Sequence, residues 1–199
     1  ARCGGVGRRR RCRLVSTRFA TAEQIAALTP RHRTIILATC CLSLFIVGID
    51  VSAVNVALPS ISSELGASPS QLQWVVDAYA LVIASLLTLG GSLGDRLGRK
   101  RVFQTGLVVF GIGSVLCSLS PTPEMLIAAR MVQAVGGSML NPVAMSIITN
   151  VFTDAKERAR AIGMWAAAVG VSMALGPVIG GALVSLVGWE AIFWLNVPI

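Results

Sequence analysis

The sequence predicts an all-α integral membrane protein, a helical bundle with five complete spans and the start of a sixth. Three observations carry this reading. Hydrophobic residues make up 54% of the 199-residue chain, charged residues only 13%, and mean hydropathy is +0.75, where a soluble domain carries about 25% charged residues. The apolar residues gather in runs of roughly 20, the length that crosses a bilayer core. The runs also lack the polar–apolar alternation of barrel strands, and only helices and closed barrels satisfy their backbone groups in lipid.

Residues 1–33 read as a basic, disordered cytoplasmic tail whose Arg8–Arg13 stretch, RRRRCR, is the strongest charge run in the chain. The apolar runs place spans at 34–57, 72–93, 102–119, 125–152 and 161–187, with a sixth begun at 191–199. The connections are about fourteen, eight, five, eight and five residues long, and links this short predict that consecutive spans lie antiparallel and adjacent. The first methionine is Met125, inside the fourth span, and the sixth span has nine residues where about 20 are needed. Both facts lead us to expect a fragment, inactive in isolation, of a longer parent.

The formal charge of +8 is a topology signal rather than a mark of nucleic-acid binding. Nine basic residues precede the first span, Arg96, Arg99, Lys100 and Arg101 fill the second connection, and Lys156, Arg158 and Arg160 the fourth. The first, third and fifth connections hold only Glu64, Glu124 and Glu190. Basic residues concentrate on the cytoplasmic side of membrane proteins, so the N-terminus is expected in the cytoplasm of a multi-pass protein of the plasma or inner membrane. Trp74, Trp189 and Trp194 fall near the opposite interface, where aromatic rings prefer to sit. The five cysteines show no metal-ligand spacing, and His32 is the single histidine.

Three ionisable residues lie inside spans: Asp50, Asp77 and Arg130. Each costs at least about 2.5 kcal/mol at the membrane centre unless paired or hydrated. Counted at the helical rise, Asp50 sits about 12 Å inward from the end near Pro59, Arg130 about 9 Å from Glu124 and Asp77 about 7 Å from Leu72. Their depths overlap, which predicts an ion-paired cluster lining a hydrated cavity. Arg130, Gln133, Gly137 and Asn141 follow at i, i+3, i+7 and i+11, one polar face of the fourth span. Such a face is either a structural hydrogen-bond ladder or a substrate and proton pathway, and a carboxylate beside a cation is what proton coupling requires.

Five motifs then resemble one family in order. Gly91, Leu93, Asp95, Arg96, Gly98, Arg99 and Lys100 match the loop signature G-x-L-a-D-R-x-G-R-K of the major facilitator superfamily. "IDVSAVNVALP" (49–59), with Asp50 and Asn55, is similar to the first-span motif of its fourteen-span drug:proton antiporter branch, with Ser52 where threonine is usual. "RMVQAVGGS" (130–138), "SMALGPVIGG" (172–181) and "GWEAIFWLNVPI" (188–199) resemble its fourth-, fifth- and sixth-span motifs, with Ala134, Ser172 and Glu190 as departures.

The resemblance implies the N-terminal bundle of a major facilitator transporter. It implies a conformational latch at Gly91, Asp95, Arg96, Gly98, Arg99 and Lys100, in which the charged side chains bond to neighbouring helix ends. It implies an antiporter kink at Gly176 and Pro177, with Gly180 and Gly181 flat against the neighbouring bundle, a motif of exporters rather than importers. The proton and substrate pathway would run through Asp50, Arg130, Gln133, Asn55, Asn141 and Asp77. The expected activity is proton-coupled efflux of amphipathic or cationic compounds by alternating access, with transport of one metabolite as the rival. The expected partners are the lipid bilayer, a small-molecule substrate and a C-terminal bundle, with no nucleic acid and no cofactor beyond the proton gradient. An enzyme is not expected: Gly90–Gly94 spells G-x-S-x-G, but that motif needs a strand–turn–helix setting and a histidine partner.

Overall fold

The structure, a computed structural model, describes residues 29–197. The expectations for the Arg-rich run and most of the tail, and for the last two residues, lie outside the described residues. Five long helices are apolar enough to cross a membrane: α1 (Pro30–Leu65), α2 (Pro69–Leu97), α3 (Arg99–Ser118), α4 (Pro123–Val151) and α5 (Ala155–Leu186); a short α6 (Glu190–Trp194) follows. No strand occurs among the described residues.

The helix starts are written in local chemistry. Proline opens α1, α2 and α4, where its missing N–H costs nothing. Ser68 and Gln71 form a capping box at α2: the Ser68 hydroxyl accepts from the Gln71 N–H at 3.3 Å, and Gln71 Oε1 accepts from the Ser68 N–H at 2.8 Å. Asp154 Oδ1 accepts from the N–H groups of Lys156 and Glu157 at 3.0 Å to start α5.

α1 and α2 overrun the apolar runs at both ends, and α3, α4 and α5 at their starts only, which corrects the predicted boundaries. Residues 30–33, expected in a disordered tail, are helical. The fourteen-residue first connection shrinks to Gly66–Ser68, because α1 continues through Pro59 to Leu65. That extra turn is held by Ile61, which is wholly buried, and by Glu64, whose carboxylate accepts from Trp189 Nε1 at 3.1 Å. Trp189 is therefore buried, not an interfacial ring, whereas Trp74 and Trp194 are exposed as expected. The second connection is the single residue Gly98, with φ +98, a backbone state that favours glycine. The basic residues assigned to it cap α2 and open α3.

Of the consecutive pairs only α3 and α4 are main neighbours. α4 packs along its length against α2 and α3, and α1 against α5, while α1–α2 and α4–α5 touch only locally. In lipid, close backbone approach at small residues rather than link length decides adhesion. A Cβ on Gly113 would stand 2.5 Å from the Gln133 Cα, one on Gly90 2.7 Å from the Ser138 carbonyl oxygen, and one on Gly180 2.8 Å from the Ala53 Cβ. Along α1 and α5, Gly48 meets Ser172, Ser52 meets Gly176 and Ala53 meets Gly180, a ladder of small residues at four-residue spacing on α5.

Candidate functional site

The close seating of α3 on α4 at Gly113 brings Ser114 beside Gln133, and one helical turn separates Gln133 from Arg130 on the same face of α4. Arg130 and Gln133 point at Asp50 of α1, which is wholly buried, as are Gln133 and Ser114; Arg130 is 2% exposed. Arg130 Nη1 donates to Asp50 Oδ2 at 2.6 Å and to Gln133 Oε1 at 2.7 Å. Gln133 Nε2 donates to Asp50 Oδ1 at 3.0 Å and to Ser114 Oγ at 2.7 Å. Asn196, just past α6, donates through Nδ2 to the same Asp50 oxygen at 2.8 Å and to Ser114 Oγ at 3.1 Å. Tyr79 of α2 closes the site: the Arg130 guanidinium carbon lies 3.9 Å from its ring centroid and 5.9 Å from that of Phe193.

Asp50 thus takes hydrogen bonds from three N–H donors on three side chains, one of them cationic. This is the surrounding of a charged carboxylate, which accepts only. The attraction within a buried ion pair is offset by desolvation, but removing one partner leaves a bare charge and costs about 3–5 kcal/mol. Neutralising Asp50 therefore acts on every group that now donates to it. Arg130 Nε, Tyr79 Oη and Asn196 Oδ1 are buried there without a hydrogen-bond partner among the described residues.

Asp77 does not join the cluster, contrary to expectation. It is exposed and forms no ion pair among the described residues. Its depth matches, but its azimuth does not: two residues from Tyr79, it points about 200° around α2 from the ring that faces Arg130. Asn55 is also exposed, its Nδ2 donating to the Val51 carbonyl at 2.9 Å, because five residues turn it about 140° from Asp50. Asn141 shares the azimuth of Arg130 but lies about 16 Å further along α4, half-buried and outside the network.

At the other predicted sites the contacts are more selective. Arg99 Nη2 donates to Asp95 Oδ1 at 3.2 Å and Nη1 to the Ser146 carbonyl of α4 at 3.4 Å, so this arginine does reach a neighbouring helix. Arg96 and Lys100 are exposed and form no ion pair among the described residues. Gly91 makes only an ordinary contact with Pro142; the tight approach falls to Gly90 and Gly94. In α5, Gly176 and Gly180 pack on Ser52 and Ala53 of α1 in the same bundle, not against a neighbouring one. Pro177 is exposed within the continuous α5, and a Cβ on Gly181 would make only an ordinary contact with Val56 at 3.9 Å. The G-x-S-x-G stretch is plain helix, its Ser92 hydroxyl donating to the Leu89 carbonyl.

Sequence reasoning missed Ser114, Tyr79 and Asn196. Asn196 carried a signal, as the lone amide in an apolar 191–199 segment. Ser114 carried none, being one small residue among many.

A family model described as Major Facilitator Superfamily matches residues 40–199. The chain is 46% identical over 151 residues to the methylenomycin A resistance protein of Bacillus subtilis, covering 76% of this chain and 32% of that protein. It is 42% identical over 171 residues to the multidrug efflux pump LfrA of Mycolicibacterium smegmatis (86% and 34%). Against the riboflavin transporter RibZ of Clostridioides difficile it is 40% identical over 169 residues (85% and 37%). The chain thus spans about a third of the length of these relatives. Among solved structures, a bacterial homologue of the human lysosomal transporter Spinster, inward-facing and unoccupied, superposes with TM-score 0.70 at 25% identity, over 85% of this chain and 40% of that one.

Proposed function

Since the chain belongs to the Major Facilitator Superfamily, a family of membrane transporters, we propose that it supplies the N-terminal, proton-coupling bundle of a multidrug efflux antiporter. In this reading the tail and the basic helix ends face the cytoplasm, and protons moving inward drive amphipathic or cationic compounds out. The two bundles of the complete transporter rock about a site near the midplane. One observation carries the proposal: Asp50 and Arg130 are paired at 2.6 Å inside the spans, both out of reach of water. An ionisable pair in lipid is expensive, and its use here is to take up and release a proton. The resistance and efflux names of the relatives support export as the direction.

In the cycle proposed, a proton reaching Asp50 removes the charge that holds Arg130, Gln133 and Asn196. The freed donors turn to new acceptors, and the helices that carry them shift together. Arg99, bonded to Asp95 and the Ser146 carbonyl, holds the basic end of α2 and α3 to α4 until that shift occurs. The proton gradient is the energy source, and no cofactor enters the cycle.

The test is Asp50→Asn in the transporter that carries these spans, assayed for proton-driven drug accumulation in everted vesicles. Export is expected to lose its dependence on the proton gradient; unchanged coupling rejects the proposal. A second reading, transport of one metabolite, is favoured by the likeness to RibZ. Resistance to several unrelated cationic compounds on expression supports export, whereas riboflavin uptake without resistance supports the second reading.

A further inference from the structure

We propose that Asn196 is the positioning residue of Asp50: its side-chain amide holds the carboxylate in the charged form and ties the start of the sixth span to the protonation state. The proposal rests on the reading of Asp50 as the proton-coupling group. It deepens that reading by adding a residue from a span outside the paired helices α1 and α4.

The geometry is specific. Nδ2 of Asn196 donates to Asp50 Oδ1 at 2.8 Å, shorter than the 3.0 Å bond from Gln133 to the same oxygen. The residue is 4% exposed, too deep for water to replace that donor without rearrangement. Its other partner, Ser114 Oγ, also accepts from Gln133, so both amides are held in one orientation by a shared hydroxyl. Asn196 also lines a cavity of about 40 Å³ between α1, α3 and α4, with Ser43 on its wall. Its Oδ1 has no hydrogen-bond partner among the described residues, and the cavity is large enough for one water.

The backbone around Asn196 is fixed as well. Trp189, Phe193 and Asn196 recur at i, i+4 and i+7, one face of a helical segment, and all three are buried. Trp189 packs edge-on against Phe193 at 6.1 Å and donates to Glu64 of α1. The start of the sixth span is thus pinned to α1 twice, through Glu64 and through Asp50. The second pin lasts only while Asp50 is charged, since a protonated carboxyl offers a weaker acceptor to Nδ2. The ionisable groups facing Asp50 are Arg130 from α4, Tyr79 from α2 and Cys117 from α3, whose Sγ lies 3.8 Å from Gln133 Oε1. The ionisable residues of α5 are confined to its first six positions, and Asn196 itself is neutral. A change at position 196 therefore alters the hydrogen bonding of Asp50 without altering the charge around it.

The full 199-residue chain in lipid nanodiscs gives a readout independent of transport. Infrared difference spectroscopy follows the C=O stretch of protonated Asp50, assigned by its absence in Asp50→Asn. Asn196→Leu keeps the branched side-chain shape and removes the donor. Losing a hydrogen bond to a charged group costs about 1.5–3 kcal/mol, so the pH at which half the band appears is expected to rise by about 1–2 units. Asn196→Gln, which restores an amide donor, is expected to return the midpoint towards that of the parent chain. If Asn196→Leu does not survive extraction, Asn196→Ala carries the same expectation. An unmoved midpoint in the donor-free variant, or no Asp50 band wherever the chain stays folded, overturns the proposal. Failure of the transport reading looks different: Asp50→Asn would leave coupled export intact while the infrared midpoint still answers to position 196.

Discussion

Arg130 is held by two unlike interactions, a charged hydrogen bond to Asp50 and the face of the Tyr79 ring, and they separate under mutation. Lysine at 130 keeps the positive charge but loses the planar fork that bonds Asp50 and Gln133 from one nitrogen and stacks on Tyr79. Arg130→Lys is therefore expected to weaken coupled export by about 10–100-fold, the worth of one charged hydrogen bond, in the same everted-vesicle assay. Removing one charge outright is harsher for stability than removing both. Asp50→Asn alone strands a buried guanidinium at a cost of about 3–5 kcal/mol, whereas Asp50→Asn with Arg130→Gln leaves two neutral amides. The double variant is expected to unfold at higher denaturant than either single charge-removing change, measured by detergent-induced unfolding. A double variant no more stable than the worse single would mean that the pair is not buried as described.

At the level of helices, what attaches one to another is where a side chain is missing. Gly113→Ala would place a methyl 2.5 Å from the Gln133 backbone and push α3 off α4, while nothing lies within 4 Å of a Cβ on Gly163. Overpacking of this kind costs about 1–3 kcal/mol. Gly113→Ala is expected to lose that much stability, and export as well, because Ser114 is drawn away from Gln133 and Asn196. Gly163→Ala is expected to change neither. Equal effects of the two changes would remove the argument from close approach. The same contrast explains what the sequence could tell. Hydropathy measures the stretch that lipid must cover, so all five helices were legible, but their polar end turns around Glu64 and Arg96 were not. Depth follows from counting residues, and the meeting of Asp50 with Arg130 was legible for that reason. Azimuth depends on which faces carry the small residues, so Asp77 and Asn55 were placed in a cluster from which their helices turn them away. Ser114 is distinguished only by its neighbour Gly113, and that needs the position of α4.

Across the whole bundle, the contacts divide it into two bodies. α1 and α5 are locked by their small-residue ladder, and α2, α3 and α4 by Gly90, Gly113 and Gly136. The ties at the two ends stay within these bodies: Arg33 with Glu157 joins α1 to α5, Gln71 with Glu124 joins α2 to α4, and Arg99 with Ser146 joins the α2–α3 corner to α4. Between the bodies the backbones approach less closely and share an apolar core, Leu44, Ile46 and Val47 of α1 with Phe110, Leu140 and Val143, and the polar bridge across it is the Asp50 network, reaching from α1 to Arg130, Gln133 and Ser114. Protonation of one carboxyl therefore acts on the polar tie between the bodies, whose other shared contacts are apolar, and the two bodies are expected to shift as units when the bridge loosens. Spin labels at Val178 on α5 and Ile112 on α3, both exposed, report the separation without touching the network. In the full chain in nanodiscs, acidification is expected to change the distance distribution between them. Asp50→Asn is expected to show the acid-like distribution already at neutral pH, and Asp77→Asn to behave as the parent, since Asp77 takes no part in the bridge. A distribution insensitive to both pH and Asp50→Asn would show that packing, not the central charge, holds the two bodies together.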